Sequence, residues 1–335
     1  MENAPLPELE IVEALVGGGI SEFAPLHGDG SVRRYYRVRT SNGTFILLEG
    51  PDREENGAWL RVNEHLSRGG VRVPKVEAAD EERGLILLED LGDVTLFSRV
   101  KEELGLDEAV ECYRNVLRVL CRMQVGCAEG FTLKTGFGSA PYNRGVMMEQ
   151  EALYFLKELI DGYLGLEEPH GVRYELETLA CEASEAPAGY LLHRDFQSRN
   201  LMCHRDEWIV IDFQGAIPGP LAYDAAALLL DPYVELPLEV SGGLFDEYCR
   251  LLSSEWGVDP DPVRDSWGAI GAFRLMQALG AYAKLGGRFK KPGFIEHIPA
   301  GLRHLAHQLA RTDGDYPILS ALIERSLLCP VVWNP

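Results

Sequence analysis

Short runs rich in the aromatic, β-branched and aliphatic residues of strands dominate the N-terminal part of the chain. Residues 35–40 and 44–49 are two such runs, and the sequence Ser-Asn-Gly at 41–43 separates them. An Asn-Gly pair readily takes the positive φ angles of a tight turn, so the two runs predict a β-hairpin. Two further strands are predicted at residues 73–78 and 84–89.

Helical spacing replaces this pattern further along the chain. One helix is predicted within the strand-rich part, at residues 57–68, where Gly69 and Gly70 end it. After Gly92, apolar residues recur three and four positions apart, which is the spacing of one helix face. These residues are Val110, Tyr113, Leu117 and Leu120, then Ala152, Phe155, Leu159 and Tyr163, and longer patterns begin at Phe245 and cover 264–285.

The change of pattern predicts an α+β fold of two lobes. Residues 1–90 are expected to form a small lobe built on an antiparallel sheet, and residues 91–335 a larger, mostly helical lobe. The two patterns meet near residues 89–93, a polar segment that contains a glycine. A cleft is expected at this joint.

The net charge of the 335-residue chain argues against some classes of binding partner. Its 32 Lys and Arg against 52 Asp and Glu give a net charge of −20. A surface that binds nucleic-acid phosphates or anionic lipid through charge needs the opposite sign. We therefore expect a small-molecule partner rather than nucleic acid or a membrane.

The N-terminal residues and the cysteines indicate a reduced, cytoplasmic protein. Residues 1–19 carry four glutamates where a secretion signal would have Lys or Arg and an apolar core. The most apolar stretch, 221–230, is too short to span a membrane and contains Asp224, so it predicts a buried helix. The seven cysteines are scattered without zinc-type spacing, which is typical of free thiols.

The sequence of residues 193–200, His-Arg-Asp-Phe-Gln-Ser-Arg-Asn, has the spacing of a kinase catalytic loop. Phosphoryl transfer to a hydroxyl needs a carboxylate beside that hydroxyl and an oxygen ligand for magnesium. Asp195 would supply the base and Asn200 the ligand. We expect His193 and Arg194 to hold the loop in place.

A second carboxylate follows at the end of the next apolar run. Residues 208–214 read Trp-Ile-Val-Ile-Asp-Phe-Gln, which predicts a strand that ends at Asp212. A carboxylate there suits Mg²⁺, which prefers a few hard oxygen ligands. A lone aspartate in a loop is usually a cap or a turn former, but three such residues at these offsets are rarely a coincidence.

These segments, with Gly219-Pro220 and Asp224 after them, resemble the aminoglycoside phosphotransferase and choline kinase superfamily, which has a protein-kinase-like fold. Within it, residues 28–38, 84–92 and 274–285 are most similar to the cell-wall amino sugar kinases. That resemblance implies ATP and Mg²⁺ as cofactors. It also implies transfer to the anomeric hydroxyl of N-acetylmuramate or N-acetylglucosamine during peptidoglycan recycling.

The resemblance also assigns nucleotide contacts. Gly28, Gly30 and Ser31 would belong to the loop that covers the nucleotide, and Glu89 and Leu91 to the hinge whose backbone bonds adenine. An ordinary turn and an ordinary polar joint would have the same residues. The superfamily aspartate Asp224 is expected to cap or brace the helix that follows it.

Two departures from the kinase pattern stand out. Residues 44–49 contain no lysine to hold the α- and β-phosphates. The sequence does not choose among the basic residues that could replace it, which are Arg33, Arg34, Arg37 and Lys75. Glu64 is either the helix glutamate that normally pairs with that lysine or, with no lysine to pair, a solvated residue of the helix. Gln197 and Gln214 also replace a common histidine and the glycine of Asp-Phe-Gly.

Four residues are candidates for the acceptor site: Gln197, Arg199, Glu151 and Arg274. Arg199 adjoins the catalytic loop, and a guanidinium can bind a carboxylate or phosphate with two hydrogen bonds, although pairing within the protein is the commoner use. Arg274 lies within an apolar helical run, and a buried arginine requires a partner. That partner is either a carboxylate of the lobe or an acidic group of the sugar.

The function expected from these residues is that of an ATP- and Mg²⁺-dependent kinase, with an amino sugar as the preferred acceptor. An aminoglycoside or choline-like phosphotransferase is the alternative enzyme, although residues 328–335 lack the acidic side chains such enzymes tend to use for amines. A nucleotide-binding pseudokinase is the alternative of another class. It is suggested by the missing lysine and opposed by the retention of Asp195, Asn200 and Asp212. The sequence leaves the oligomeric state open.

Overall fold

Five antiparallel strands form the sheet of the N-terminal lobe. They are β1 (Ile20–Leu26), β2 (Arg34–Thr40), β3 (Gly43–Glu49), β4 (Val76–Asp80) and β5 (Leu85–Glu89), in the spatial order β1-β2-β3-β5-β4. The computed structural model describes residues 9–26 and 33–330. The loop residues Gly28, Gly30 and Ser31 therefore lie outside the described residues.

The predicted hairpin is confirmed at the centre of this sheet. β2 and β3 pair with Thr40 opposite Gly43. Of the turn residues, only Gly43 takes a positive φ (143°), so Asn42 does not use the left-handed conformation expected of it. Instead the hydroxyl of Thr40 accepts the N–H of Asn42 at 3.0 Å, which stabilises the turn from its side.

Two helices cover the sheet, α1 (Leu9–Val16) and α2 (Arg53–Arg68). α2 begins before the predicted position because Asp52 caps it, and its carboxylate accepts the N–H of Glu55 at 3.0 Å. Successive strand residues point to opposite faces of a sheet. Leu47 accordingly joins a small core with α1, whereas Leu48 joins the main core with α2.

The C-terminal lobe is mostly helical, as predicted. Its helices are α3 (Leu96–Ser98), α4 (Leu106–Cys121), α5 (Arg144–Val146), α6 (Leu153–Phe155), α7 (Val172–Ala183), α8 (Ala222–Leu229), α9 (Leu238–Trp256), α10 (Asp261–Asp265), α11 (Trp267–Tyr282), α12 (Ile298–Leu309) and α13 (Pro317–Leu327). Turns of π-helix extend several of them, at Arg99–Glu103, Arg122–Gly126, Met147–Ala152, Leu156–Asp161 and Ala283–Arg288, and 3₁₀ turns lie at Ser198–Asn200 and Ile295–His297. No helix within the described ranges has the length and apolar character to cross a bilayer.

Two small antiparallel pairs support the loops of the predicted catalytic motif. β6 (Tyr190–Leu192) pairs with β9 (Ile217–Gly219), and β7 (Leu201–His204) pairs with β8 (Glu207–Val210). The motif 193–200 connects β6 to β7, and Asp212 lies between β8 and β9. Both segments are therefore connected to short strands that pack against the helical core.

The joint between the lobes is bonded on both sides. From the sheet, the guanidinium of Arg37 reaches Asp90 and Asp93, each with a closest N–O distance of 2.8 Å. From the C-terminal lobe, Nδ1 of His204 donates to the carbonyl of Leu91 at 3.1 Å. The predicted polar joint is therefore held by ion pairs and a hydrogen bond and is not a loose linker.

Candidate active site

A cleft with a volume of about 930 Å³ lies between the sheet and the helical lobe. Apolar residues of β3 and β5, among them Leu48 and Leu88, line the sheet side. The opposite side carries Asp195, Asn200 and Asp212, which are the three residues that the motif predicts for base and metal. The structure thus brings these three side chains into one cavity.

His193 links the two loops that carry the carboxylates. Its Nε2 lies 2.8 Å from the carbonyl of Ile211, and its Nδ1 lies 3.3 Å from the main-chain N–H of Asp195. A carbonyl only accepts, so Nε2 carries the proton and Nδ1 accepts from Asp195. The structural role predicted for the imidazole follows directly from these two contacts.

Backbone strain marks both loops. Arg194 and Asp212 take positive φ angles of 77° and 63°, a region that costs residues other than glycine about 1–3 kcal/mol. Residues held in such conformations need surrounding bonds that fix them. For Arg194 those bonds come from Asp224.

Asp224 anchors the catalytic loop and does not brace its own helix, which corrects the role expected from the sequence. It is fully buried in α8, and its two carboxylate oxygens accept the main-chain N–H groups of His193 (2.7 Å) and Arg194 (2.9 Å). Burial raises the pKa of Asp224 to about 6, and these donors limit the rise. The carboxylate fixes the strained peptide that precedes the base.

A second buried aspartate, Asp231, holds the other half of the loop. One of its oxygens accepts both the N–H (2.9 Å) and the hydroxyl (2.5 Å) of Ser198, and the other accepts the N–H of Tyr233 at 3.0 Å. Sequence reasoning missed this residue. The sequence offered one indication: Asp231 directly follows an apolar helix, and a carboxylate buried there needs several hydrogen-bond donors.

Asn200 and Asp212 present oxygen atoms to the cleft. The amide nitrogen of Asn200 donates to the carbonyl of Asp195 at 2.8 Å, so its oxygen is the atom left for a cation. The amide nitrogen of Gln214 donates to Oδ1 of Asp212 at 3.1 Å. A hydrogen bond therefore joins Asn200 to Asp195, and Gln214 holds the carboxylate of Asp212.

The side-chain oxygens of Asn200 and Asp212 are suitable ligands for Mg²⁺. The ion takes one or two carboxylates with hard oxygen ligands and keeps its other positions for water and phosphate. An amide oxygen and one carboxylate meet that requirement. A cluster of three or more His, Cys, Asp or Glu side chains able to hold a metal does not occur in the part of the chain that the structure describes.

The glutamate of α2 that faces the cleft is Glu55 and not Glu64, which is a solvated helical residue, the second of the two roles considered for it. Glu64 forms an exposed ion pair with Arg68 one turn further along its own helix. Glu55 lines the cleft, and its Oε1 lies 3.5 Å from the amide nitrogen of Gln214. Glu55 was overlooked because α2 begins earlier than the periodicity suggested.

The predicted hinge residues lie at the other end of the cleft. The carboxylate of Glu89 accepts two bonds from Arg72 (2.6 and 2.8 Å) and one from the N–H of Lys75 (2.6 Å). Burial opposes ionisation, but these donors outweigh it and lower the pKa of Glu89. The carboxylate is thus committed, and the main-chain N–H of Glu89 also donates, to the carbonyl of Lys75 at 3.0 Å. Leu91 lines the cleft beside it.

On the acceptor side, Gln197 and Arg199 both line the cleft. The guanidinium carbon of Arg199 lies 3.8 Å from the ring centroid of Tyr233 and 4.9 Å from that of Phe97. Such stacking holds a guanidinium plane in place while its edge stays polar. Tyr233 and Phe97 are contacts that sequence reasoning did not find.

Arg274 faces the base from the core. Its side chain is only 5% exposed, its Nη2 lies 3.5 Å from Oδ1 of Asp195, and its Nη1 donates to Gln277 at 2.8 Å. Burial alone lowers the pKa of Arg274, but Tyr223 and Asp195 beside it produce a net rise, so the guanidinium stays charged. Of the two partners considered for this arginine, the structure gives it a carboxylate of its own lobe.

Glu151 does not reach the cleft. It is fully buried and accepts hydrogen bonds from the hydroxyls of Tyr142 (2.7 Å) and Tyr223 (2.6 Å). Burial raises the pKa of Glu151 to about 7, although both hydroxyls oppose the rise. The structure therefore places this candidate acceptor residue inside the core, behind the site.

A two-lobed fold with a loop of this kind at its cleft defines a kinase-like phosphotransferase. The chain belongs to the phosphotransferase enzyme family known as APH, which matches its residues 22–264. It is thus an enzyme that phosphorylates a hydroxyl group.

Relatives in sequence cover most of the chain. A protein of Pseudomonas aeruginosa named N-acetylmuramate/N-acetylglucosamine kinase is 28% identical over 323 residues, which are 91% of this chain and 89% of that protein. A protein of the same name from Neisseria meningitidis is 26% identical over 306 residues, 88% of each chain.

Solved structures share the fold. The choline kinase LicA of Streptococcus pneumoniae superposes with a TM-score of 0.59 at 14% identity, covering 90% of this chain and 98% of that one. A thermostable mutant of the aminoglycoside phosphotransferase APH(4)-Ia, solved with ADP and hygromycin B, gives 0.57 at 14% identity, covering 91% and 99%. The predicted fold class is confirmed by these similarities.

Proposed function

We propose that the chain is an ATP- and Mg²⁺-dependent amino sugar kinase that phosphorylates the anomeric hydroxyl of N-acetylmuramate or N-acetylglucosamine. The P. aeruginosa relative, which aligns with 91% of this chain, is named N-acetylmuramate/N-acetylglucosamine kinase. That name supports the acceptor class. The observation that carries the proposal is the chemistry of the cleft around Asp195.

Cationic and uncharged side chains surround Asp195 on the acceptor side. Arg199, Arg274, Gln277 and Tyr282 line this end of the cleft. Among the described lining residues the other carboxylates lie at the metal end or at the joint, namely Glu55, Asp212, Glu89 and Asp93. A polycationic aminoglycoside or a choline needs several carboxylates or open aromatic faces. This end favours a neutral or anionic sugar instead.

An arginine already covers an aromatic ring at this end of the cleft. Arg199 covers the ring of Tyr233, so that face is not open to a quaternary amine. The guanidinium edges of Arg199 and Arg274 suit hydroxyl, amide-carbonyl or carboxylate oxygens. The aminoglycoside or choline-like alternative therefore has less support from this geometry than the amino sugar.

Asp195 acts as the base in the proposed mechanism. Its side chain is 47% exposed, so an acceptor hydroxyl can approach the carboxylate and pass it a proton. Arg274 orients that carboxylate, and Asn200 and Asp212 hold the metal through their oxygens. Mg²⁺, when bound, supplies charge neutralisation for the transferring phosphate. Most of the acceleration would come from positioning between the two lobes.

The pseudokinase alternative has little in its favour. Asp195, Asn200 and Asp212 all line one cleft, and a hydrogen bond joins Asn200 to the main chain of Asp195. We place the activity in the cytoplasm, where nucleotide and recycled cell-wall sugars are available. The seven cysteines are free thiols, in keeping with a reducing compartment.

An acceptor panel tests the proposal. Purified protein with Mg²⁺ and ATP is offered N-acetylmuramate, N-acetylglucosamine, neutral sugars, aminoglycosides and choline, and ADP release is measured. We expect turnover with the two amino sugars and loss of their reducing end, because an anomeric phosphate is not a reducing sugar. Turnover with aminoglycosides or choline alone would replace the proposal, and product that keeps its reducing end would move the transfer to another hydroxyl.

A further inference from the structure

The third strand of the sheet has no cation to offer a nucleotide. The residues of β3 that line the cleft are Ile46 and Leu48, both aliphatic. In kinases a lysine in this strand pairs with a helix glutamate and holds the phosphates next to the metal. An enzyme with a net charge of −20 needs a local cation there even more, since its own field repels the nucleotide.

Three of the four basic candidates are engaged elsewhere. Arg34 pairs with Glu49 at the edge of the hairpin, at 2.6 Å. Arg37 lines the cleft, but its guanidinium is bonded to Asp90 and Asp93 at the joint. Lys75 is 66% exposed and contacts a glutamate two residues further along. The remaining candidate is Arg33.

Arg33 lies against the cleft-facing glutamate of α2. Its Nη2 donates to the main-chain carbonyl of Glu55 at 3.1 Å and lies 3.5 Å from Oε1 of the same residue. Its side chain is 1% exposed, so the guanidinium is held within the protein rather than in solvent. The pair consists of a cation and the helix glutamate, as the usual lysine–glutamate pair does, but the cation comes from the residue just before β2 rather than from β3.

Hydrogen bonds connect this pair to the metal aspartate. The amide nitrogen of Gln214 lies 3.5 Å from Glu55 and 3.1 Å from Asp212. The hydroxyl of Tyr35 interacts with Arg33, and its pKa is raised to about 12 by burial and by the charge of Asp212. Arg33 therefore lies behind Tyr35 and Glu55, two residues that line the cleft, and it is linked through Glu55 and Gln214 to Asp212.

We propose that Arg33, held by Glu55, replaces the strand lysine and binds the diphosphate part of the nucleotide. A phosphate oxygen takes the place of the Tyr35 hydroxyl on the guanidinium. That exchange is favourable because a hydrogen bond between two ions is about twice as strong as one to a neutral acceptor. The planar guanidinium can bond two phosphate oxygens at once. The inference rests on the use of ATP in the proposed function.

The test is direct binding of nucleotides, without turnover. The affinities of ADP and adenosine are measured by calorimetry with Mg²⁺ for the wild type, Arg33→Met and Arg33→Lys. Arg34→Met is the matched control, an adjacent arginine whose partner is Glu49. Arg33→Met should weaken ADP binding at least about tenfold and change adenosine binding less than about twofold, because only the phosphates lose a partner. Arg33→Lys should recover part of the loss, and Arg34→Met should match the wild type.

Several outcomes would overturn the proposal. ADP binding by Arg33→Met equal to that of the wild type would exclude Arg33, and equal losses for ADP and adenosine would make it a structural residue. If Arg33→Met does not fold, Glu55→Gln decides: it removes the ion pair, so its preference for ADP over adenosine must fall, and an unchanged preference contradicts the proposal. A wild type that binds neither ATP nor ADP would instead contradict the proposed function itself.

Discussion

Nη2 of Arg274 lies 3.5 Å from Oδ1 of Asp195, so a buried cation faces one oxygen of the base from the core side. In the proposed mechanism the second oxygen receives the proton of the acceptor hydroxyl. A half-exposed carboxylate would otherwise rotate among several conformers in solvent. The contact therefore gives the base one orientation, and it makes separate predictions for the two residues.

Replacement of Asp195 with Asn should lower kcat at least about a hundredfold, because the amide cannot accept the proton of the acceptor hydroxyl. ADP affinity should stay within about threefold of the wild type, since the nucleotide does not need this carboxylate. Asp206→Asn is the control, at an exposed turn between β7 and β8. Turnover retained in Asp195→Asn would mean that another group is the base.

Replacement of Arg274 with Met should lower kcat/KM for the acceptor at least about tenfold while the KM for ATP changes little. The reason is that both the orientation of Asp195 and a donor to the sugar are lost. Arg274→Lys keeps the charge and should recover part of the activity. Arg118→Met, which removes an exposed pair with Glu255, is the control for loss of an arginine. An equal rise of both KM values would indicate general disruption of the cleft.

Replacement of Gln214 with Leu should raise the Mg²⁺ concentration for half-maximal activity about tenfold. The amide of Gln214 orients Asp212 and lies between that aspartate and Glu55. At saturating Mg²⁺ the loss should largely disappear, which separates a positioning role from damage to the base. A low kcat that excess Mg²⁺ does not restore would argue against this role.

Replacement of Glu151 with Gln should remove a pH dependence of stability. The folded pKa of about 7 exceeds the ordinary 4.5, so the folded state holds this proton more tightly. The corresponding stability is complete below pH 4.5 and is lost as pH rises through 7, by at most about 3 kcal/mol. Glutamine mimics the protonated acid and does not ionise.

Urea unfolding from pH 5 to 8 measures this effect. The wild type should lose stability relative to Glu151→Gln as pH rises, and Glu149→Gln, at an exposed position of the same helical segment, should follow the wild type. Parallel pH curves for the wild type and Glu151→Gln would show that Glu151 is not the titrating group.

The sequence predicted the parts of the fold that depend on local chemistry. Residues 41–43 predict the hairpin, although Gly43 alone of them takes a positive φ and Thr40 supports the turn. The spacing from Asp195 to Asn200 lies within a single loop. Both are short-range patterns, and both are present in the structure. The fold class followed because strand and helix periodicities occupy separate halves of the chain.

Two misassigned residues depend on contacts between distant segments. Asp224 bonds a loop that is 30 residues away, and periodicity within its own helix carries no information about that loop. Glu151 has the polarity of a ligand residue, yet two tyrosine hydroxyls satisfy it in the core. Glu55 was overlooked because a cap at Asp52 starts its helix early. Asp224 and Glu151 depend on burial that only the assembled fold defines, whereas Glu55 depends on a local cap.

The bonds at the joint between the lobes have a mechanical consequence. Besides Arg37 and His204, the main-chain N–H of Cys203 donates to the carbonyl of Val94 at 2.8 Å, so the joint is held from the sheet and from β7. A segment that is bonded on both sides resists bending and does not act as a free hinge. The chain itself then sets the resting width of the cleft, and scattering profiles of the protein with and without nucleotide should give nearly the same radius of gyration.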